Sequence, residues 1–203
     1  MRGLERLVLA SNNPGKLREI GALLAPLAIE VVPQSALGIA EAEEPHFTFL
    51  ENALAKARHA SRAAGLPALA DDSGICVEAL GGEPGVQSAY YAGTQGTRAE
   101  RDARNNAKLL AVLAGVADRR AHYNCVMVLV RRHDDPRPIV AEGIWRGAIA
   151  LEPRGGEGFG YDPLFLVPER ACTSAELAPD EKNRLSHRGL ALQRLLARLR
   201  EEP

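Results

Sequence analysis

The sequence predicts an α/β protein with a mixed central sheet and flanking helices. Over the first third of the chain, short apolar runs alternate with segments of helical periodicity, the pattern of strands joined through helices. Farther on, strand-like runs follow one another in a hairpin-like way, which adds antiparallel pairing. With 203 residues, 46% hydrophobic and 25% charged, the chain has a globular composition that excludes a disordered or fibrous protein. At this length it forms one domain over residues 1–203, or two lobes sharing a core, and buries ~70% of its extended surface.

The first element is a short buried strand, Leu7 to Ala10. A polar turn, Ser11-Asn12-Asn13-Pro14-Gly15-Lys16, opens a helix with apolar Leu17, Ile20, Leu23 and Leu24. A second strand, Ile29 to Val32, precedes a loop with Pro and Glu through His46. The Ala-rich segment from about Thr48 to Ala64 is a helix closed by Gly65, because glycine accepts the left-handed conformation that ends helices. Strand Ala68 to Ala70 runs into Asp71-Asp72-Ser73-Gly74, and another short strand, Ile75 to Val77, follows. Gly81 to Gly96 reads as a long ordered loop, uncommon in compact domains unless it has a function. A helix from about Arg98 to Leu113 carries Ala103, Ala107, Leu110 and Leu113 on one side. Tyr123 to Val130 is the strongest strand of the sequence, with Ile139 to Trp145 beside it. The glycine-rich run from Gly155 to Pro163 leads into a strand, Leu164 to Val167. A terminal helix starts near Ser186 and turns Leu190, Leu192, Leu195, Leu196 and Leu199 toward the core. No repeat, low-complexity tract or linker interrupts this order.

Charge and cysteine usage narrow the function classes. The 25 basic and 26 acidic residues leave a formal charge of -1, so no global field draws the chain to nucleic acid or to an anionic membrane. Three widely spaced cysteines, Cys76, Cys125 and Cys172, suggest neither a disulfide framework nor a zinc site, and fit a reducing cytoplasm. No apolar run reaches the ~18 residues of a membrane span, and the N-terminal run is too short for a signal peptide. Only four of the 25 basic residues are lysines: Lys16, Lys56, Lys108 and Lys182. Where arginine is otherwise preferred, each lysine is either a chance survivor or a site that needs a compact charge.

Several constellations can carry chemistry. The turn Ser11 to Lys16 stands between a strand and a helix, where backbone N–H groups, the helix dipole and Lys16 can meet a phosphate. It reads equally as an Asn-capped helix start. It is not a P-loop, since Ser11 replaces the first glycine and Leu17 has no hydroxyl. Asp71-Asp72 at a strand end can hold Mg2+ and orient or deprotonate water, or can be an Asx turn in a hairpin. The Asp-Asp-Ser order excludes the Asp-x-Asp nucleophile of haloacid-dehalogenase-type phosphatases. Glu43 and Glu44 can complete a metal site or stay solvated. Gly158 and Gly160 fail the GxGxxG dinucleotide pattern at Pro163, which leaves a loop where backbone can approach a ligand and Phe159 or Tyr161 can stack on a base. Lys182, Ser186, His187 and Arg188 gather at the start of the last helix, with donors directed to solvent or ligand; positive charge there opposes the helix dipole and needs another reason. Without HExxH, GxSxG or paired Cys/His spacing, zinc and acyl-enzyme chemistry are disfavoured.

Taken together, five ordered motifs resemble the inosine triphosphate pyrophosphatase family, house-cleaning enzymes acting on dITP, ITP and XTP. They are Ser11 to Lys16, Phe49-x-Glu51-Asn52-Ala53-x-x-Lys56-Ala57, Ala70 to Gly74, Gly158 to Pro163 and Ser186 to Gly189, and the likeness runs from about residue 7 to residue 199. The resemblance implies an elongated mixed sheet with helices forming two lobes around a nucleotide cleft, and a homodimer. It implies water attack at the α-phosphorus, giving a monophosphate and pyrophosphate. By position, Asp72 resembles the general base and a metal carboxylate, with Asp71 and Glu43 or Glu44 supporting Mg2+, or Mn2+ in its place. Ser11, Asn13, Lys16, Lys56 and Ser73 match positions that handle the triphosphate. Phe159, Gly160, Tyr161, Asp162, Lys182, His187 and Arg188 match the base pocket. The chemistry is coherent: a triphosphate brings about four negative charges, which a near-neutral chain meets only locally. Hypoxanthine and xanthine present a 6-oxo acceptor where adenine presents a 6-amino donor, so donors from Arg188 or backbone N–H groups can discriminate by ~10^4. The alternatives are a related pyrophosphatase for other modified nucleotides and a nucleotide-binding regulator without turnover.

Overall fold

The computed structural model of the chain describes residues 4–27 and 29–201. The strands are β1 (Arg6–Leu9), β2 (Glu30–Pro33), β3 (Ala68–Val77), β4 (Arg120–Val130), β5 (Ile139–Ile149), β6 (Phe165–Val167) and β7 (Cys172–Thr173). The helices are α1 (Pro14–Leu24), α2 (Phe49–Ala64), α3 (Arg98–Val112), α4 (Pro179–Leu185) and α5 (His187–Glu201). The strands form one sheet in the order β2-β1-β3-β4-β5-β6-β7. β1 pairs in parallel with β2 and β3, while β6 pairs antiparallel with β5 and β7, so the sheet is mixed as the sequence predicts.

Contacts divide the chain into two compact units. The first contains residues up to Asp72, Cys125–Gly143 and the chain from His187 onward; the second contains Ser73–Asn124 and Ile144–Ser186. In the first unit, the period-two alternation of strands sorts the core into two faces. Leu7, Leu9, Leu69, Cys125, Met127 and Leu129 pack with Ile20 and Leu24 of α1 and Ala191, Leu192 and Leu195 of α5. Val8, Ala10, Ala68, Ala70, Val126, Val128 and Val130 pack with Ala53, Ala57 and Ala60 of α2. In the second unit, Ile75, Val77, Leu109 and Leu113 surround an aromatic group in which the Phe165 ring lies 4.7 Å from Tyr123 and 4.9 Å from Trp145.

The helix ends follow local chemistry. Asn13 caps α1, accepting from the N–H groups of Gly15 and Lys16. Thr48 caps α2 at Glu51, and Gly65 ends it with φ 66°. Thr97 and Glu100 form a capping box on α3.

Four readings from the sequence need correction. The Ala68 to Ala70 and Ile75 to Val77 strands are one unbroken strand, so Asp71 and Asp72 sit inside β3 and form neither a strand end nor an Asx turn. Gly74 serves close approach instead of turning: a Cβ there would stand 2.2 Å from the carbonyl oxygen of Gly85 and 2.5 Å from Ser88 Oγ. The Gly81 to Gly96 loop contains a 3-10 helix, Gly85–Tyr90, whose Ser88 accepts from the Ile75 N–H. On α3, Ala103 and Ala107 are exposed and the buried residues are Asn105 and Leu109, because Asn105 bonds the backbone of Ser88, Ala89 and Ala92. The terminal helix is preceded by a separate α4, and Lys182, Ser186, His187 and Arg188 are all buried, not turned to solvent.

The start of α5 lies hard against β5 at Gly143. A Cβ there would meet the His187 carbonyl oxygen at 2.0 Å and the Ala191 nitrogen at 2.5 Å, both backbone atoms that cannot swing away. Gly143→Ala should therefore displace α5 and destabilise the protein by about 1–3 kcal/mol, the cost of overpacking a filled site. A lowered urea midpoint at unchanged slope checks this, and an unchanged midpoint contradicts the close packing.

Candidate functional site

The Ala-rich α2 brings two polar side chains to the sheet among its buried alanines: Asn52 and Lys56, one turn apart. Small residues on that face let the helix lie close enough for both to reach Asp72. Lys56 Nζ lies 2.8 Å from Asp72 Oδ1 and 3.3 Å from Glu44 Oε2. Asn52 Nδ2 donates to Asp72 Oδ2 at 3.3 Å and to the carbonyl of His46 at 3.2 Å, while its Oδ1 accepts from the His46 N–H. The segment carrying Glu44 is thus tied to the helix that faces Asp72. Burial raises the pKa of Asp72 against the opposing pull of Lys56 and Lys16. Burial alone would lower Lys56, but the carboxylates of Asp72 and Glu44 raise it and keep it charged.

Asp71 turns to the other face of β3, since adjacent strand residues point to opposite sides. Its Oδ2 receives Lys16 Nζ at 3.0 Å and the Arg188 guanidinium at 3.4 Å. Arg188 also pairs with Glu19 of α1. Burial would raise the Asp71 pKa, yet Lys16 and Arg188 hold it well below the ordinary carboxylate range. This network supplies the reason for a cation at the start of α5: Arg188 answers two carboxylates there, against the helix dipole. The two neighbouring carboxylates thus bond different partners, Lys16 and Arg188 for Asp71 and Lys56 and Asn52 for Asp72.

In the second unit, the glycine run forms a tight loop around one carboxylate. Asp162 Oδ2 accepts the N–H of Phe159 at 2.8 Å and Lys182 Nζ at 2.6 Å, and Ser174 Oγ donates to its Oδ1 at 2.9 Å. Gly158 has φ 82°, and a Cβ there would fall 2.1 Å from Asp162 Oδ2, so only glycine fits. The Lys182 ammonium lies 5.2 Å from the centre of the half-buried Phe159 ring and Arg98 lies 5.0 Å from it. Tyr161 is buried with its hydroxyl donating to the Ser88 carbonyl, while Phe159 is half-buried. The Phe159 and Gly160 N–H groups are bonded to Asp162 and Asp102.

Of the residues picked out in sequence, the structure gathers Asp72, Lys56 and Glu44 in one cluster, Asp71, Lys16 and Arg188 in a second, and Phe159, Asp162 and Lys182 in a third. Asn13 and Ser11 shape the first turn, with Ser11 Oγ accepting the Asn13 N–H. Ser73 follows Asp72 in β3, His187 is buried at the start of α5, and Glu43 is exposed. Sequence reasoning missed Glu19, Asn52, Arg98, Asp102 and Asn106 as partners of these groups. Asn52 stands in the second motif, where no role was read for it. Among the described residues, no three His, Cys, Asp or Glu side chains converge as a metal cage. Asp72 and Glu44 nevertheless already bracket one cation, the Lys56 ammonium, and a pair of carboxylates completed by water and phosphate is the donor set Mg2+ takes.

Carboxylates bracketed by buried lysines, beside a capped helix start on a mixed α/β fold, are groups suited to meeting phosphate. The chain belongs to the Ham1 family, whose profile matches residues 7–198. It is 64% identical to the dITP/XTP pyrophosphatase of Ralstonia nicotianae, over 97% of this chain and 98% of that protein. The dITP/XTP pyrophosphatase of Bordetella pertussis is 62% identical, over 97% and 92%. Among solved structures, a HAM1 protein from Coxiella burnetii superposes with TM-score 0.88 at 48% identity, covering 97% of this chain and 99% of that one. The Staphylococcus aureus Ham1 protein gives TM-score 0.84 at 38% identity, over 98% and 100%. The family resemblance read from the five motifs therefore holds.

Asp71→Asn should cost about 3 kcal/mol of stability at neutral pH, because it strips a buried guanidinium and ammonium of their counter-charge. The Asp71 pKa is depressed in the folded state, so its contribution is complete above the unfolded value and is lost as pH falls through the folded one. The gap between the two proteins in urea midpoint should stay constant above about pH 4 and narrow below it. A gap that widens on acidification contradicts the assignment.

Proposed function

We propose that this chain is a Mg2+-dependent nucleoside-triphosphate pyrophosphatase that converts aberrant purine nucleotides, dITP, ITP and XTP, to the monophosphate and pyrophosphate. The observation that carries the reading is the Lys56 ammonium held between Asp72 and Glu44 with Asn52 on the free side of Asp72. The high identity to proteins named dITP/XTP pyrophosphatases supports the substrate class. Asp72, whose burial makes it hold a proton more readily, takes the proton of a water; the water oxygen bonds the α-phosphorus as the bond to the bridging oxygen breaks, and pyrophosphate leaves with that oxygen. Mg2+, or Mn2+, held by Asp72 and Glu44 would offset the triphosphate charge. Lys16, Lys56, Asn13, Ser11 and Ser73 take part in holding the triphosphate, with Asp71 keeping Lys16 in place. Phe159 stacks on the purine, and Gly160, Tyr161, Asp162, Lys182, His187 and Arg188 shape its surroundings.

The protein works in the cytoplasm as a homodimer, a reading supported by its three free cysteines and by the family resemblance. Its partner is the nucleotide, not nucleic acid or membrane; among the described residues no helix is long and apolar enough to cross a membrane.

Separate incubations with Mg2+ and equal concentrations of dITP, XTP, dGTP, ATP and other modified nucleoside triphosphates, with pyrophosphate and orthophosphate quantified separately, test this. Pyrophosphate from dITP and XTP alone is the expected product; pyrophosphate from other modified nucleotides only would move the substrate class, and binding without product would make the chain a regulator. Asp72→Asn should retain nucleotide binding and lose about 10^2 to 10^4 in kcat, and near-full turnover would remove Asp72 from the base role.

A further inference from the structure

α3 carries a polar stripe that its core packing does not require. Arg98, Asp102 and Asn106 recur every fourth residue and so share one face of the helix. Asp102 Oδ2 accepts the N–H of Gly160 at 2.9 Å, and Asn106 Nδ2 donates to the carbonyl of the same Gly160, also at 2.9 Å. Both backbone groups of one residue are held by successive turns of one helix, across more than fifty positions of sequence. Gly160 has φ 63° and open space where a Cβ would stand, so packing around that position does not restrain it. One residue before it, the Phe159 ring lies under the guanidinium of Arg98, which in turn lies 3.8 Å from Asp102.

We propose that α3 sets purine selectivity, with Asp102 and Asn106 as positioning residues that fix the backbone of Gly160 and thereby the ring of Phe159. The inference rests on the reading of Phe159 as the ring that stacks on the base. A ring on a glycine-flanked loop must be ordered each time a ligand binds, and ordering it beforehand returns that cost as affinity. Telling a 6-oxo from a 6-amino purine requires polar groups at fixed depth relative to the stacking plane, because the penalty for a wrong base comes from a group left unpaired. Asp162, itself paired with Lys182, bonds the Phe159 N–H, and the two α3 side chains close the frame at Gly160.

The test measures kcat and KM for dITP and dATP in the wild type and in Asp102→Ala, Asp102→Asn, Asn106→Leu and Arg101→Ala, each at a temperature where circular dichroism shows the fold intact. Asp102→Ala and Asn106→Leu should each raise KM for dITP about tenfold, with kcat much less affected, and lower the preference for dITP over dATP by a similar factor. Asp102→Asn, which keeps an acceptor oxygen and nearly the same volume, should recover most of both, and it carries the test should the alanine variant not fold. Arg101, on the same helix but outside the stripe, should leave the preference unaltered when replaced. Lowered melting temperatures with unaltered KM and preference, or an Arg101→Ala effect as large as that at Asp102, overturn the inference. A wild type that does not turn over dITP overturns the proposed function and this inference with it, whereas turnover with indifferent variants overturns the inference alone.

Discussion

Consecutive residues of a β-strand face opposite sides of the sheet, and in β3 two carboxylates occupy consecutive places. An unpaired ion in the interior costs several kcal/mol, so each face must answer its own carboxylate with positive charge and hydrogen bonds. On one face α1 and α5 provide Lys16 and Arg188, with Glu19 balancing the second charge of that pair. On the other, α2 provides Lys56 and Asn52. The placement of three helices against the strand is thus a consequence of charge neutralisation as much as of apolar burial. The alanines of α2 and the bare Cα of Gly143 are what let those helices come near enough.

The two faces differ in what they leave available. Asp71 is fully enclosed, and its cations hold it ionised, which suits a strut. Asp72 keeps a proton more readily and shares Lys56 with the partly exposed Glu44, which suits a group that exchanges protons and counter-ions with a ligand. The second unit repeats the theme with Asp162, a single carboxylate that accepts from backbone, lysine and serine while glycine makes room for it. In all three places the rigidity comes from charge-assisted bonds, which are stronger than neutral ones.

Much of this was legible in the chain. Asn13, Thr48 and Gly65 mark helix ends by side-chain capping and left-handed geometry, both local effects. The unbroken apolar runs of β1 and the C-terminal half of β4 announced strands covered on both faces. What could not be read was long-range. Asp-Asp-Ser-Gly has the composition of a turn, and only cations arriving from α1, α2 and α5 allow it to continue as strand. Ala103 and Ala107 gave a misleading apolar stripe on α3, because alanine is a weak marker of burial and the true contact is made by Asn105, Asp102 and Asn106 through hydrogen bonds. The motifs located the site residues; they did not say that Arg188 and Lys182, six positions apart, serve different carboxylates.

The two units are not consecutive lengths of chain. β3, β4 and β5 each contribute residues to both, and the first unit needs α5, which begins at His187. During synthesis, Asp71 emerges from the ribosome more than a hundred residues ahead of Arg188. Until α5 follows, the first face has Lys16 alone, the apolar side chains that α5 covers remain wet, and the strand that holds both carboxylates has little reason to settle. Folding of this chain is therefore expected to be largely post-translational and governed by slow, distant contacts, so a nascent chain halted before His187 is a client for chaperones, not a half-built enzyme.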